Sequence, residues 1–540
     1  MMNEAIKEKP SVSDILSYKE HIEPYHFVQI FAGTCSGKNY FIEKIASENN
    51  FSVGIFTSRR TKVEQSLVQY KNDSTYSRFL NYHDDEDLEL EFKQLYGIEL
   101  LKNNPYDTTI TTYGMMNYYY HNEYNDEDTA SRPENCNDLI VVDEAHAVIL
   151  DSTFQDSTFY IEQLIFRIIN NFVNNIPMRC KHLIIMTGTP SIVDEYFNQS
   201  GLAKTYDLMD ICKCIYPKHI LFTDTARVKN IISNLVSKGK KVVYFSNYVL
   251  FVDDFIKGTK IKKSEAISIC SNKEKIEIMK TLNKNAEKEI NDFHTNIVTK
   301  KVFTPGINLL LVTSKYREGI DIEDDIDAIF IEQHCGCEIV QMAGRIRNQV
   351  DKAYIIVDAR QHGIKESEER SLLEFAYSII DSVNSTLKTK TNKKEKDEWI
   401  KIVQRQSPYI MYEPVEDIFK IFIAKNKAYE IIKKDFKKWK TNNYVEIGKE
   451  LFPYSEVHDI NKSDDSLDVN LQKKVMHLRK YLCDNYKLDT YYEEKDIVPL
   501  KNYINRYWKT KQINRILKLY IGFECKRTSG DTKKYKFKKL

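Results

Sequence analysis

The sequence predicts an α/β protein with two successive parallel-sheet domains and a mainly helical, basic C-terminal region. Three observations carry this prediction. Short apolar runs rich in β-formers alternate with helix-period segments as far as residue 372, and buried, non-alternating strands separated by helices signal a parallel sheet. The rhythm restarts after about residue 217, so two such units follow one another. From residue 373 the strand-like runs give way to helical segments rich in Tyr and Lys. The expected divisions are an N-terminal extension (1–22), a first domain (23–205), a second domain (206–372) and a C-terminal region (373–540).

In the first domain, "HFVQIF" (26–31) reads as a strand, and a glycine-containing turn and "NYFIEKIASENN" follow it. Phe41, Ile42 and Ile45 give that last stretch helical spacing. "FSVGIFTS" (51–58), "DTTITTYGMM" (107–116), "DLIVVDEAHAVIL" (138–150) and "KHLIIMTGTPS" (181–191) supply further strands. In the second domain the strands are "KKVVYFSN" (240–247), "AISICS" (266–271), "NLLLVTS" (308–314), "DAIFIEQ" (327–333) and "KAYIIVD" (352–358). "TKTNKKEKDEW" (389–399) is a charge run, read as a solvated linker or helix start. No internal repeat is visible in the sequence.

Composition bounds the class. At 540 residues the chain exceeds one ordinary core. With 42% hydrophobic and 29% charged residues and little Gly or Pro, it is globular rather than fibrous or disordered. No apolar run approaches the roughly 20 residues that span a bilayer. "MMNEAIKEKP" lacks a signal-peptide core. The expected location is therefore cytoplasmic, and the ten cysteines are expected as free thiols. "CKC" (212–214) and "CGC" (335–337) are candidate metal ligands, although CxC is tight for one zinc. Net charge is +1, yet residues 376–540 hold 36 basic against 23 acidic side chains, so the rest is net acidic. That split points to a polyanion-binding C-terminal part, or to a lysine-rich surface that keeps it soluble. In 501–540, Tyr503, Tyr507, Trp508, Tyr520, Phe523, Tyr535 and Phe537 interleave with basic residues. Single-strand binding uses this composition; a small helical core with lysines outside uses it too, and docking of a protein partner is the third reading.

Two motifs carry chemistry. "AGTCSGK" lies between a strand and a helix. Small residues there let successive N–H groups close on a phosphate, and Lys38 supplies a mobile positive charge. Ala32 stands where many such loops have Gly, and Asn39 where they place a hydroxyl. "LIVVDEAH" puts Asp143 and Glu144 at the end of a buried strand. Nucleotide hydrolysis needs a carboxylate near magnesium and a base or water-positioner beside it. Asp143 suits the first role and Glu144 the second.

With these residues, the chain over 24–360 resembles the superfamily 2 helicases and translocases of the DEAH type. "GTCSGKN" resembles motif I, "FTSRR" (56–60) motif Ia, "TTYG" (111–114) motif Ib and "DEAH" motif II. "TGTP" (187–190) resembles motif III in the form of many DNA-directed members. "YFSN" (244–247), "TSKYREGIDI" (313–322) and "QMAGRIRN" (341–348) resemble motifs IV, V and VI, in family order. The last resembles that of viral origin-binding helicases.

The resemblance implies two tandem RecA-like domains clamping ATP and Mg2+ between them. Gly33, Thr34, Cys35, Ser36, Gly37, Lys38, Asn39, Gly319 and Asp321 would line the nucleotide site, with Asn39 and Asp143 handling the metal. Gln341 would orient water or phosphate. Arg345 and Arg347 would be the arginine fingers, Arg347 standing in for the arginine the family has at Asn348. Arg59, Thr111, Thr112, Ser246, Thr313 and Ser314 would meet the nucleic-acid backbone. His146, Thr187 and Thr189 would couple the two sites. The expected function is a nucleic-acid-dependent ATPase that translocates or unwinds, on DNA rather than RNA, with no membrane partner. A bacterial, phage or other mobile-element context fits the composition, with replication or defence partners. The alternatives are an RNA helicase, and a nucleic-acid-binding or assembly protein with a degenerate or switch-like ATPase.

Overall fold

The computed structural model describes residues 9–33, 36–58, 63–66, 79–81, 108–113, 132–153, 155–212, 216–246, 248–269, 279, 285–313, 320–358, 366–441, 443–459, 469–487, 490–508, 513–517, 523–527 and 534–539. Two seven-stranded sheets organise it, and every strand pairing within them among the described residues is parallel.

The first sheet contains β1 (Phe27–Phe31), β2 (Val53–Thr57), β3 (Phe79–Asn81), β4 (Thr108–Thr112), β5 (Leu139–Val142), β6 (His182–Thr187) and β7 (Lys204–Asp207). Their spatial order is β3-β4-β2-β5-β6-β1-β7. The second contains β8 (His219–Thr223), β9 (Val242–Phe245), β10 (Ala266–Ile269), β11 (Leu309–Val312), β12 (Ala328–Ile331) and β13 (Lys352–Ile356). Its seventh strand comes from far down the chain, after the antiparallel hairpin β14 (Ile410–Glu413) and β15 (Ile418–Ile421): it is β16 (Glu456–Asp459). The order is β10-β11-β9-β12-β13-β8-β16. Numbered from its own first strand, the second sheet has the same permutation as the first. The domains are a topological repeat that the sequence does not display.

The central strands of each sheet are covered on both faces, which is why they read as continuous apolar runs, whereas the edge strands β7 and β16 stay partly exposed. Side chains alternate across a strand. On β5 and β6, Ile140, Val142, Leu183 and Ile185 enter one core, while Leu139, Val141, Ile184 and Met186 enter the other. The second sheet divides likewise, with Val243 and Phe245 against Val242 and Tyr244.

The expected divisions shift in two places. Helix α1 (Val12–Ile15) and the turns after it are built into the first domain: Val12, Leu16 and Ile22 lie in its core, and Tyr206 Oη donates to His21 O at 2.9 Å. The expected border at 205/206 falls inside β7. The following helices relevant to the site are α2 (Lys38–Asn49), α3 (His146–Leu150), α4 (Thr158–Val173) and α5 (Gly336–Ala343).

The C-terminal region is mainly helical. Helices α6 (Glu366–Lys388) and α7 (Lys393–Gln406) share a core with the β14–β15 hairpin. Helix α8 (Ile423–Trp439) spans both domains. Ala424 and Ala428 enter the first domain's core beside α3, and Trp439 enters the second's, its Nε1 donating to His334 O at 2.6 Å. Helix α9 (Tyr444–Leu451) then leads to β16. Beyond it, α10 (Val469–Asn485) and α11 (Glu494–Trp508) pack with the antiparallel sheet of β17 (Tyr491–Glu493), β18 (Phe523–Arg527) and β19 (Lys534–Lys539) around a separate core. Among the described residues no helix is long and apolar enough to cross a membrane.

Candidate active site

The site is assembled where the C-terminal ends of β1 and β5 face α5 of the second domain. The loop after β1 turns into α2 at Gly37, whose φ of +83° is left-handed. A side chain there is strained whatever the space, and a Cβ would also press to 3.2 Å from Ser11 Cβ. The N-terminal segment reaches this loop directly: Val12 N–H donates to Ser36 O at 2.8 Å. Lys38 Nζ donates to Ala32 O at 2.7 Å and to Gly33 O at 2.9 Å, folded along its own loop. Asn39 lies half-buried in the first turn of α2.

After β5 the backbone is pinned at successive points. Asp143 N–H donates to Phe56 O at 2.8 Å and Ala145 N–H to Met186 O at 3.0 Å. Between them Glu144 takes φ +56°, a left-handed conformation rare for a non-glycine residue. Such strain costs on the order of 1–3 kcal/mol and persists only where the surroundings over-determine it. Tyr113 contributes to that: its buried hydroxyl donates to Asp143 O at 2.7 Å. Asp143 Oδ1 accepts from Glu144 N–H at 3.0 Å. The result aims Glu144 across the cleft.

There it meets the second domain. Arg345 Nη2 donates to Glu144 Oε1 at 2.8 Å and to Gln341 Oε1 at 2.9 Å. Glu144 is buried, which opposes its charge, but Arg345, His146 and Lys38 together outweigh burial and hold it below the ordinary carboxylate range. The placement of Arg345 and Arg347 has a local cause. Ile322 N–H donates to Arg345 O at 2.9 Å, and Arg347 N–H donates to Ile322 O at 2.7 Å, an isolated parallel bridge between Ile322 and Ile346. Extended backbone sends Ile346 into the core and both arginines to the opposite side. Arg347 pairs with Asp321. Asn348 is exposed, its Nδ2 donating to Glu323 O at 2.6 Å.

His146, Thr187 and Thr189 form one chain. His146 Nδ1 lies 3.0 Å from Thr187 Oγ1, which lies 3.1 Å from Thr189 Oγ1. The same His146 nitrogen is 3.6 Å from Glu144 Oε2. A Cβ on Gly188, between the two threonines, would lie 3.2 Å from Gln341 Nε2. The chain therefore runs from Glu144 to the β6 turn that faces α5.

Of the residues expected at the nucleic-acid face, Thr111 is buried and Thr112 half-buried on β4, and Thr313 is half-buried after β11. Ser246 is buried, and its hydroxyl donates to Glu332 Oε2 at 2.7 Å, inside the second domain. Thr34, Cys35, Arg59, Ser314 and Gly319 lie outside the described residues. Phe537 belongs to the core of the last C-terminal unit and the half-buried Tyr503 and Tyr535 pack against it, Tyr503 stacking on Tyr481 at 4.3 Å. Cys335 and Cys337 are free thiols, and the Cys337 contact together with burial pushes the Cys335 thiol up.

Three contacts escaped sequence reasoning: Tyr113, and the pair Glu64 and Gln65. Gln65 Oε1 accepts from Asp321 N–H at 2.8 Å, and its Nε2 donates to Asp321 O at 3.1 Å and Ile297 O at 3.1 Å. Glu64 Oε2 lies 3.0 Å from His294 Nε2. Both belong to the first domain and grip the second. Only tertiary structure pairs residues more than 200 positions apart.

The donor set fits a nucleoside triphosphate with magnesium. Ser36 Oγ, Glu144 Oε2 and Gln341 Nε2 are buried and make no hydrogen bond among the described residues. Lys38, Arg345 and Arg347 supply the positive charge.

Compared with known proteins, the chain matches no family model and no curated protein. Among solved structures it is similar to Dbp5 of S. cerevisiae, solved bound to RNA and ADP BeF3. Identity is 12%, the match covers 68% of this chain and 88% of that one, and the TM-score is 0.43. It is also similar to the Escherichia coli DEAH/RHA helicase HrpB, at 12% identity and a TM-score of 0.39, over 67% of this chain and 44% of that one.

Proposed function

We propose that the protein is a nucleic-acid-dependent ATPase that moves along or unwinds its substrate, hydrolysing ATP between the two domains. The observation that carries this is the contact of Arg345 with Glu144 across the domain cleft. A guanidinium from one domain and a carboxylate from the other meet beside a phosphate-type loop. Closure of the domains thus decides whether the site is complete, which is what couples hydrolysis to domain movement.

The residues divide the work. The loop from Gly33 to Asn39 would hold the phosphates, and Lys38 would leave its carbonyl partners for the terminal phosphates. Asp143 and Asn39 would hold magnesium, Asn39 through its amide oxygen or a bound water. ATP with magnesium supplies the phosphoryl group and neutralises charge developing on it. Glu144, kept ionised by its cationic neighbours, would orient and deprotonate the attacking water. Arg345 and Arg347 would stabilise the charge spread over the phosphoryl oxygens. DNA is the preferred track, on the form of "TGTP"; sequence-independent backbone contacts suit a motor that must pass every base.

ATP turnover measured side by side with single-stranded DNA, forked DNA and RNA is the deciding experiment. We expect stimulation, greatest with DNA. Lys38→Ala and Glu144→Gln should each lower kcat at least about 100-fold while sparing nucleic-acid binding. Failure of all three nucleic acids to raise turnover would sink the proposal. Nucleotide-dependent binding without turnover would favour a switch-like protein, the rival that Asn39 supports.

A further inference from the structure

We propose that His219, Glu456 and His458 form a binding site for a borderline transition dication, zinc in the first instance, at the seam of β8 and β16. The site is remote in role from the nucleotide cleft and does not depend on the function proposed for that cleft.

The strand pairing creates it. Glu456 lies directly opposite His219 in the parallel ladder. His458 is two residues further along the same strand. Partners in register share a face, and so do residues two apart. All three side chains therefore stand on one face of the sheet. His219 Nδ1 is 3.2 Å from Glu456 Oε2, and His458 Nε2 is 3.7 Å from the same oxygen. One ligating atom from each residue lies within 4.8 Å of the others. Zinc bound tetrahedrally at its usual bond lengths places neighbouring ligand atoms about 3.4 Å apart, so the present spacing needs only small rotations.

The ligand types choose the ion. Two imidazoles and one carboxylate suit zinc and its transition-metal neighbours, whereas magnesium and calcium take oxygen ligands. Three protein ligands leave the fourth position to water. The second nitrogen of His219 also has a candidate partner: Nε2 is 3.9 Å from Asp351 Oδ1. A carboxylate on the far nitrogen orients a metal-bound imidazole and raises its basicity. Lys352 stands next in the row, opposite His219 on β13, and its ammonium lies 3.5 Å from Asp351, which moderates its repulsion of a cation.

The seam is both accessible and firm. The three side chains are 32%, 72% and 53% exposed, so an ion arrives without unfolding. Beneath them β16 is seated tightly: a Cβ on Gly448 would lie 2.6 Å from Val457 and 2.8 Å from Phe222. The strand carrying two ligands is therefore held in place by packing. A bound ion would fasten the C-terminal region to the second domain at the edge of its sheet.

The test uses the full chain, stripped of metal and kept reduced, titrated with Zn2+ by equilibrium dialysis and with Co2+ by absorption. Because the chain has ten cysteines, the cobalt spectrum separates the sources. We expect one equivalent with d–d bands of a nitrogen and oxygen site and no sulfur-to-cobalt charge-transfer band. His219→Gln, His458→Gln and Glu456→Gln should each weaken that equivalent at least tenfold and leave the circular dichroism unchanged. Absence of any bound equivalent would overturn the proposal. So would a thiolate spectrum as the only signal, or an equivalent that all three variants retain.

Discussion

Glu144 shows how much of this site is decided at one residue. Its left-handed backbone is held by flanking bonds from Asp143 and Ala145 and by the Tyr113 hydroxyl. Its charge is held by Arg345, His146 and Lys38 against burial. The position of Asp143 and Glu144 was legible in "LIVVDEAH", because four apolar residues before two acids read as a buried strand and its end. Tyr113 was not legible, since one tyrosine just past a threonine-rich strand gives no sign of what its hydroxyl reaches. Asn39 is the opposite case, an oddity plain in the sequence and placed by the fold in the first turn of α2. A neutral amide oxygen can meet a hard cation, but on a longer arm than a hydroxyl. Asn39→Thr should therefore keep or raise ATP turnover and shift its Mg2+ dependence. Loss of turnover on that change, measured over a Mg2+ titration, would refute a metal-handling role.

At the scale of elements, α8 is the piece with the widest reach. Its first turn docks on α4 of the first domain, where Glu162 accepts from Ala424 N–H at 3.0 Å and also binds the Tyr196 hydroxyl. Its far end meets α5, where Asp435 Oδ2 accepts from Gly336 N–H at 2.8 Å, at the first residue of the helix that carries Gln341. The amphipathic spacing of α8 was readable as a helix; that it bridges both domains was not, because its partners lie far away in the chain. Glu162 makes the docking pH-sensitive. Burial raises its pKa to about 7, against the hydrogen bonds from Tyr196 and Ala424 that lower it. A carboxyl raised in the folded state stabilises fully below its unfolded value of 4.5, and the contribution is lost as pH rises through about 7. The span corresponds to roughly 3 kcal/mol. Thermal unfolding should show the wild-type midpoint falling between about pH 5 and pH 8, and Glu162→Gln should flatten that slope. Parallel curves for the two proteins would refute this.

Over the whole molecule, charge is divided as the sequence indicated. The last C-terminal unit packs its own core, with Tyr503, Tyr535 and Phe537 turned to that use. Arg479, Lys480, Lys487, Lys495, Arg506 and Lys534 are exposed on it, so the nucleic-acid affinity proposed for it is expected to be electrostatic and insensitive to sequence. A chain ending at Asp459 keeps β16 and both sheets. It should retain basal ATP turnover, bind single-stranded DNA at least about tenfold more weakly at low salt, and show a shallower dependence of affinity on salt. Unchanged affinity and slope in a fluorescence-anisotropy titration would show that this unit does not contact nucleic acid.

The sequence by itself determined ten of the fourteen strands of the two sheets, the order of the two sheets along the chain, and which residue types stand in the loop, the acid pair and the arginine segment. These follow from local periodicity and from residue types that few other structures need. The tertiary structure alone decided that both sheets share one strand order, that the seventh strand of the second is borrowed from the C-terminal region, and that Gln65 and Glu64 join the domains. It also decided that Arg347 rather than Asn348 lies on the side of Arg345. The physical reason is that strand partners and cross-cleft contacts join residues far apart in the chain, and periodicity carries no information about which distant surface a given face will meet.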